Sequence, residues 1–328
     1  MENTTNETSS RWSDRSLKEL FGIMLRGFAM GAAEVIPGVS GGTLAFILGI
    51  YEELVESIKV AASKDLIQAV LKFRIKEILN IVNWKFLIAL ALGMLLAIGS
   101  LANFLEYLFK TVPVYLWSFF FGLIVASVFV VSKRIKQWSA ALAIAVTVGT
   151  FGAYLLVGLI PAETPDVWWF YILSGVLASY ALILPGLSGS FVLVLLGKYQ
   201  DVLSAVPPDG DIPTLILVAF GVGIGLVTFS QVVSYLFKNY PDMTVAVLMG
   251  LMIGSLRKIW PWKEVLETTI DRHGEVVPLV EKNIAPMFTI NGVFNTEIII
   301  ALAMAVVALV VVIAIDRMGS HEENEAHS

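Results

Sequence analysis

Long apolar segments alternate with short polar connections along most of the chain. A helix that crosses a bilayer needs about 20 mostly apolar residues, and six segments reach roughly that length. They are residues 86–105, 112–131, 139–160, 212–236, 243–260 and 296–315. The pattern predicts an all-α polytopic membrane protein with about six full spans.

Two further apolar stretches are interrupted near their centres. Residues 20–55 are broken at Pro37-Gly38, and residues 168–206 at Pro185-Gly186. Proline ends a helix at the residue before it, and glycine permits a sharp turn. Each stretch is therefore predicted to form a helix–turn–helix hairpin with both ends on one side of the membrane. The sequence leaves open whether a hairpin is re-entrant or crosses twice.

Composition agrees with a membrane location. Hydrophobic residues make up 57% of the chain and charged residues 15%, whereas a soluble domain carries about 25% charge. Most of the surface must therefore face lipid. The absence of cysteine excludes disulfides, thiol catalysis and thiolate metal sites.

The distribution of Lys and Arg predicts the orientation. With the N-terminal tail (1–16) in the cytoplasm, fourteen Lys/Arg lie on the cytoplasmic side, which includes the C-terminal tail (317–328), and seven lie outside. Five of those seven are in the long outside loop 257–295, where the positive-inside rule weakens. The cytoplasmic loop 56–85 is basic and predicted to be an amphipathic helix.

The two halves of the chain repeat each other. Pro37-Gly38-Val39-Ser40-Gly41 matches Pro185-Gly186-Leu187-Ser188-Gly189 at an offset of 148 residues, and Tyr107-Leu108-Phe109-Lys110 matches Tyr235-Leu236-Phe237-Lys238. Each half, 17–160 and 168–316, contains one hairpin and three spans. Three is odd, so the second copy is inverted, as in secondary transporters whose broken helices form the binding site.

The hairpin turns have the chemistry of an anion site. Half-helices that begin after the prolines expose backbone N–H groups and the positive end of a helix dipole. Serine hydroxyls add donors, and glycines allow close approach, which suits phosphate or carboxylate. The predicted substrate-binding residues are Arg26, Glu34, Pro37, Gly38, Ser40, Gly41, Gly42, Thr43, Pro185, Gly186, Ser188, Gly189 and Ser190.

Arg26 is a cation inside an apolar arm, where charge is costly unless it is paired or functional. Two interpretations remain open. Arg26 and Glu34, eight residues apart, pair and hold the hairpin together. Alternatively, Arg26 clamps an anion, with Glu34 as a modulator or proton carrier. The second half has Ser174 and Leu182 at the matching positions, so any role of charge is asymmetric.

An enzyme is not expected. Gly38-Val39-Ser40-Gly41-Gly42 fits a G-x-S-x-G pattern, but a serine nucleophile needs a base, and His273 lies in a charged outside loop. We predict no catalytic residue, metal, cofactor or nucleic-acid partner. Coupling to a proton or another ion and the oligomeric state stay open.

The doubled motif, Ala33-Glu34-Val35-Ile36-Pro37-Gly38-Val39-Ser40-Gly41-Gly42-Thr43 with Leu184-Pro185-Gly186-Leu187-Ser188-Gly189-Ser190, resembles the bacterial and archaeal polyprenyl-phosphate transporter family. The resemblance implies a flippase of the cytoplasmic (inner) membrane that moves undecaprenyl phosphate, or an archaeal counterpart, from the outer to the inner leaflet. That step recycles the lipid carrier for cell-wall biogenesis. A transporter of a small soluble anion, or a structural membrane protein, is the alternative.

Overall fold

A computed structural model describes residues 15–34, 40–135, 137–205, 210–270, 276–290 and 293–326. Pro37 and Gly38 of the predicted site lie outside the described residues, as does His273. The described chain is mainly helical, with short strands confined to the segment between residues 263 and 294.

The first half contains a broken hairpin followed by long helices. Its helices are α1 (Leu17–Glu34), α2 (Gly41–Ile47), α3 (Tyr51–Val60), α4 (Lys64–Leu71), α5 (Ile75–Ile81), α6 (Trp84–Thr111), α7 (Pro113–Ser132) and α8 (Ala140–Leu156). Proline begins α7, where its missing N–H is not needed.

The second half follows the same order of helices. It contains α9 (Trp168–Ile183), α10 (Gly189–Leu195), α11 (Tyr199–Ser204), α12 (Ile212–Asn239), α13 (Pro241–Ser255) and α14 (Thr296–Ala326). Between α13 and α14 lie an antiparallel pair, β1 (Lys263–Ile270) with β2 (Val276–Asn283), and a shorter pair, β3 (Thr289–Ile290) with β4 (Val293–Phe294).

The protein is an all-α polytopic membrane protein. Among the described residues, four helical segments are long and apolar enough to cross a bilayer: Trp84–Leu101, Pro113–Ser132, Ile212–Asn239 and Thr296–Ala314. Three shorter apolar helices, α8, α9 and α13, accompany them. Large apolar side chains such as Leu95, Phe151 and Ile216 are exposed on these helices, as expected of a surface that contacts lipid.

A close contact between two helices is repeated at equivalent positions in both halves. In the first half α1 packs on α6 because Gly27 lies against the Leu90 carbonyl and Gly93 against the Met24 carbonyl. In the second half α9 packs on α12 through equivalent positions: Gly175 lies against the Val218 carbonyl, and Gly221 against the Ile172 carbonyl. Small residues allow such close approach of membrane helices.

The remaining long helices exchange partners between the halves. The second span of each half packs against the third span of the other, so that α7 contacts α14 and α13 contacts α8. Gly122 abuts the Ala305 carbonyl in one pair, and Gly250 abuts the Val146 carbonyl in the other. The halves therefore interlock instead of lying side by side.

Contacts at the ends of the half-helices separate the two faces of the protein. The connection after α7 reaches the end of α2, where the Arg134 guanidinium lies 3.4 Å from the Phe46 carbonyl. The connection after α8 reaches the end of α10, where the Ala162 N–H donates to the Leu195 carbonyl at 2.9 Å. Because α8 runs between these connections, α2 and α10 end on opposite faces.

Two segments differ from the sequence prediction. Segment 56–85 is not one amphipathic helix: α4 and α5 are separated at Phe73, whose φ of 51° is left-handed. Many of their apolar side chains are exposed, including Leu71 and Ile75. The second difference is segment 257–295, which the sequence predicts to be a loop and which contains the β1–β2 hairpin. In addition, the predicted spans 139–160 and 243–260 extend past the C-terminal ends of the observed helices, which are Leu156 and Ser255.

Candidate functional site

The tips of the two hairpins meet inside the protein. The Gly186 N–H donates a hydrogen bond of 2.7 Å to the Thr43 hydroxyl, and both residues are buried. Gly42 lies against the backbone of α9, where an added Cβ would be 2.8 Å from the Leu182 carbonyl oxygen. Since α2 and α10 end on opposite faces, each hairpin reaches this contact from its own face, as expected of re-entrant hairpins.

Glu34 closes the start of α2. Its carboxylate accepts a hydrogen bond of 2.7 Å from the Gly41 N–H. Helix α2 has only seven residues, so its dipole is small. The sequence predicted that this helix end would be free for a ligand anion, but in the structure the protein's own carboxylate contacts its first N–H.

The two motif serines have different environments. The Ser188 hydroxyl is 2.7 Å from the Ser190 hydroxyl, so these groups satisfy each other. The Ser40 side chain is 1% exposed, yet its hydroxyl has no hydrogen-bond partner among the described residues. Gly42 is the position that matches Ser190, and it offers no hydroxyl. A buried hydroxyl without a partner is costly, so the environment of Ser40 differs from that of Ser188.

Arg26 lies on α1, roughly 12 Å before Glu34 along the helix axis at 1.5 Å per residue. Within the described residues, its guanidinium makes no hydrogen bond or ion pair, and it is half-buried. The interpretation in which Arg26 and Glu34 pair is therefore wrong for this structure. Phe21 and Leu25, five residues and one residue before it, are more than half exposed, as expected of a helix that borders lipid.

The structure thus brings part of the predicted set together. Glu34, Ser40, Gly41, Gly42 and Thr43 cluster against the turn of the second hairpin, where Pro185, Gly186 and Gly189 are buried. Ser188 and Ser190 bond each other, and Arg26 stands apart on α1.

Comparison with known proteins identifies the family. The family model described as undecaprenyl phosphate translocase-like matches residues 30–277. The chain belongs to this family. It is 38% identical over 294 residues to a polyprenyl-phosphate transporter of Vibrio cholerae, covering 89% of this chain and 95% of that protein. It is 32% identical over 256 residues to a polyprenyl-phosphate transporter of Staphylococcus aureus, covering 73% and 85%. No solved structure matches.

The family match includes both hairpin turns and most of the second half.

The sequence did not predict the polar contacts at the ends of the hairpins that lie away from the junction. The Lys198 side chain is only 2% exposed, forms an ion pair with Asp166 and lies 3.6 Å from Asp201. At the matching place in the first hairpin, Glu53 forms an ion pair with Arg15 and accepts a hydrogen bond from Asn83.

Polar contacts of this kind join the start of each hairpin to its end. Arg15 precedes α1 and Glu53 is in α3, while Tyr171 in α9 donates to Asp201 in α11 at 3.0 Å. The only sequence signal was the repeated acidic residue, Glu53 and Asp201, since their basic partners are not at matching positions.

Proposed function

We propose that this protein transports a polyprenyl phosphate of the undecaprenyl type across the cytoplasmic membrane, from the outer to the inner leaflet, so that the lipid carrier is reused. The observation that carries the proposal is the junction of two re-entrant tips. Among the described residues, it contains a buried hydroxyl without a hydrogen-bond partner and lies about two helical turns from an arginine that makes no ion pair. The names of the Vibrio and Staphylococcus relatives supply the class of substrate.

The groups near the junction suit a phosphate headgroup. A guanidinium presents a planar set of donors that matches phosphate oxygens, and it stays charged at any physiological pH. The Ser40 hydroxyl can donate to another oxygen. Glu34 holds the Gly41 N–H through an acceptor oxygen, so a phosphate oxygen would have to displace it. Glu34 would then act as an internal competitor that helps to release the substrate.

A lipid substrate explains the position of Arg26 better than a soluble anion does. The cation lies on α1 beside exposed apolar side chains, where an isoprenoid tail can remain in the bilayer while its phosphate is inside the protein. A transporter of a soluble anion is the second candidate, because the polar groups at the hairpin tips would bind inorganic phosphate as well as a lipid phosphate.

The deciding experiment is leaflet translocation in proteoliposomes that contain polyprenyl phosphate, with and without a pH gradient. A charge-assisted hydrogen bond contributes about 1.5–3 kcal/mol. Arg26→Ala should therefore slow transport roughly tenfold or more, whereas Arg26→Lys should retain part of it. Ser40→Ala should be milder. Lys64→Ala, which removes an exposed cation on α4, is the matched control.

A double variant tests the scaffold alternative. If Arg26 served only to neutralise Glu34, Arg26→Ala with Glu34→Ala would transport at the wild-type rate per inserted protein. That result would contradict the anion-clamp role. Equal uptake of inorganic phosphate and exclusion of the lipid would instead favour the soluble-anion candidate.

A further inference from the structure

A cavity of about 370 Å³ lies on the face that carries the β1–β2 hairpin, away from the hairpin junction. Its walls come from the end of α8 and the residues after it, the half-helix α10, the segment after α13, and both strands of the hairpin. The segment between α13 and α14 joins the last two spans, and the sequence predicts a loop there. In the structure, it covers a basic chamber.

Four cations and one carboxylate line the cavity: Arg257, Lys258, Lys263, Lys282 and Glu281. Glu281 lies 3.0 Å from the Lys263 ammonium and 3.7 Å from that of Lys258. One carboxylate thus serves two ammonium groups, and the lining carries a surplus of positive charge. Such a surplus in a partly enclosed space attracts anions.

Lys263 is the most buried of these cations. Its side chain is 7% exposed and its ammonium lies 4.1 Å from the centre of the Trp117 ring. Burial lowers the pKa of Lys263 to about 8, with Glu281 opposing the shift and Lys258 adding to it. Loss of hydration favours the neutral amine, so an anion in the cavity would restore the charged form.

The Arg257 guanidinium occupies space that a glycine leaves free. The position where Gly158 would carry a Cβ is occupied by the Arg257 guanidinium, which donates a hydrogen bond of 2.9 Å to the Tyr154 carbonyl and lies over the Tyr154 ring. A guanidinium has five N–H donors, and this contact uses one. Any larger residue at position 158 would push Arg257 out of place.

One edge of the cavity is apolar and open. Leu159 and Ile160 follow α8 and are 59% and 72% exposed, and Leu266 on β1 is 56% exposed. A cationic floor beside an exposed apolar edge fits an amphiphile whose anionic head enters while its hydrocarbon tail stays in the bilayer. Free phosphate would contact the basic residues but would gain no binding energy from the apolar edge.

We propose that this cavity is a second anion site, which receives the phosphate monoester headgroup of a lipid before the headgroup reaches the hairpin junction. The proposal rests on the proposed function for the identity of the lipid. A monoester fits better than a phosphodiester headgroup because it carries nearly two negative charges at neutral pH, against the surplus of cations in the lining.

The first test is binding of a short isoprenyl phosphate to the purified full-length protein by calorimetry at pH 8. Lys263→Met and Arg257→Gln should each weaken binding roughly tenfold, since each removes a charge-assisted contact. Lys64→Met, on the opposite face, is the matched control and should bind like wild type. Lys282→Gln changes an exposed side chain, so it tests the site even if the buried variants do not fold.

Proton uptake separates this site from the hairpin junction. With a pKa near 8, Lys263 should take up about half a proton when an anion binds at pH 8. Lys263→Arg should still bind the ligand but without that uptake, which buffers of different ionisation enthalpy would show. Unchanged uptake in Lys263→Arg, or unchanged affinity in Lys263→Met and Lys282→Gln, would overturn the proposal.

Competition distinguishes the sources of the headgroup. Inorganic phosphate should compete with isoprenyl phosphate but bind more weakly, and phosphatidylglycerol in nanodiscs should not compete. Preference for free phosphate, or binding of phosphatidylglycerol alone, would refute a lipid monoester site. If wild type binds isoprenyl phosphate here but moves none between leaflets, the proposed function fails and the binding site stands. The opposite outcome is normal transport in which the double variant Arg257→Gln with Lys263→Met has the same half-saturating substrate concentration as wild type. In that case the proposed function stands and the second anion site fails.

Discussion

At the residue scale, one difference between the repeats decides the character of the junction. Gly42 occupies the place of Ser190, which leaves the Ser40 hydroxyl without the partner that Ser188 has, and it lets α2 pack against the backbone of α9. A single position therefore brings the two hairpins together and leaves a buried hydroxyl without a partner among the described residues.

Gly42→Ala tests the packing role of this position. An added Cβ would lie 2.8 Å from the Leu182 carbonyl and 3.1 Å from the Ile183 carbonyl, so the tips must separate. Overpacking of this kind typically costs about 1–3 kcal/mol, and we expect lower thermal stability together with slower transport. Gly223→Ala is the control, because no atom lies within 4 Å of its added Cβ. Equal thermal stability and transport of the two variants would show that the hairpin tips can separate without loss.

Thr43→Val removes the hydrogen bond between the tips with little change of shape. The buried Gly186 N–H would lose its partner, at a cost of about 1–3 kcal/mol. Thr43→Ser keeps the hydroxyl and should unfold close to the wild-type temperature in detergent. If Thr43→Val is as stable as Thr43→Ser, the bond between the tips contributes little.

At the element scale, the sequence predicted the helices whose position depends on the length of an apolar segment or on a break within it. The broken hairpins and the apolar helices follow from runs of apolar residues and from the paired Pro-Gly turns, and the all-α class is confirmed. The break at Phe73 was not foreseen because a left-handed residue of this type has no sequence signal like that of glycine. The β1–β2 hairpin was missed because segment 263–283 contains no Asn-Gly or Asp-Gly pair, the dipeptides that signal a tight β-hairpin.

The candidate site was predictable only in part, for a similar reason. The repeated Pro-Gly-x-Ser-Gly motif indicated that the tips carry the chemistry, and Thr43 and Gly186 do meet. The partner of Glu34 depends on where the chain folds back after α1, which spacing along a helix does not reveal. The cavity beneath the β1–β2 hairpin combines segments from residues 154 to 283, and no local pattern connects them.

The equivalent glycine contacts in the two halves make a matched prediction. Gly27→Ala should push α1 from α6, and Gly175→Ala should push α9 from α12, because in each case the added Cβ would overlap a backbone carbonyl. Thermal unfolding should show similar destabilisation for both, of about 1–3 kcal/mol. Gly99→Ala on α6 has open space around it and should be neutral. A large effect in one half alone would mean that the helix pairs differ in importance.

At the scale of the whole molecule, the exchange of partners between halves explains how a repeat can form one body with two faces. Because α7 packs on α14 and α8 on α13, neither half can bury its apolar surfaces without the other. The hairpins then approach the junction from opposite faces. This is the arrangement expected of alternating access around a fixed site.

The orientation of these faces is the last prediction. We expect the connection 132–137, with Lys133 and Arg134, to be cytoplasmic and the acidic connection 161–167 to be extracytoplasmic. The chain has no cysteine, so Gln137→Cys and Glu163→Cys, both at exposed positions, can be probed singly with a membrane-impermeant thiol reagent. Intact cells should label the cysteine at position 163 and protect the one at 137, and permeabilised cells should label both. The opposite pattern would place the basic cavity on the cytoplasmic face, where it could not receive a lipid from the outer leaflet.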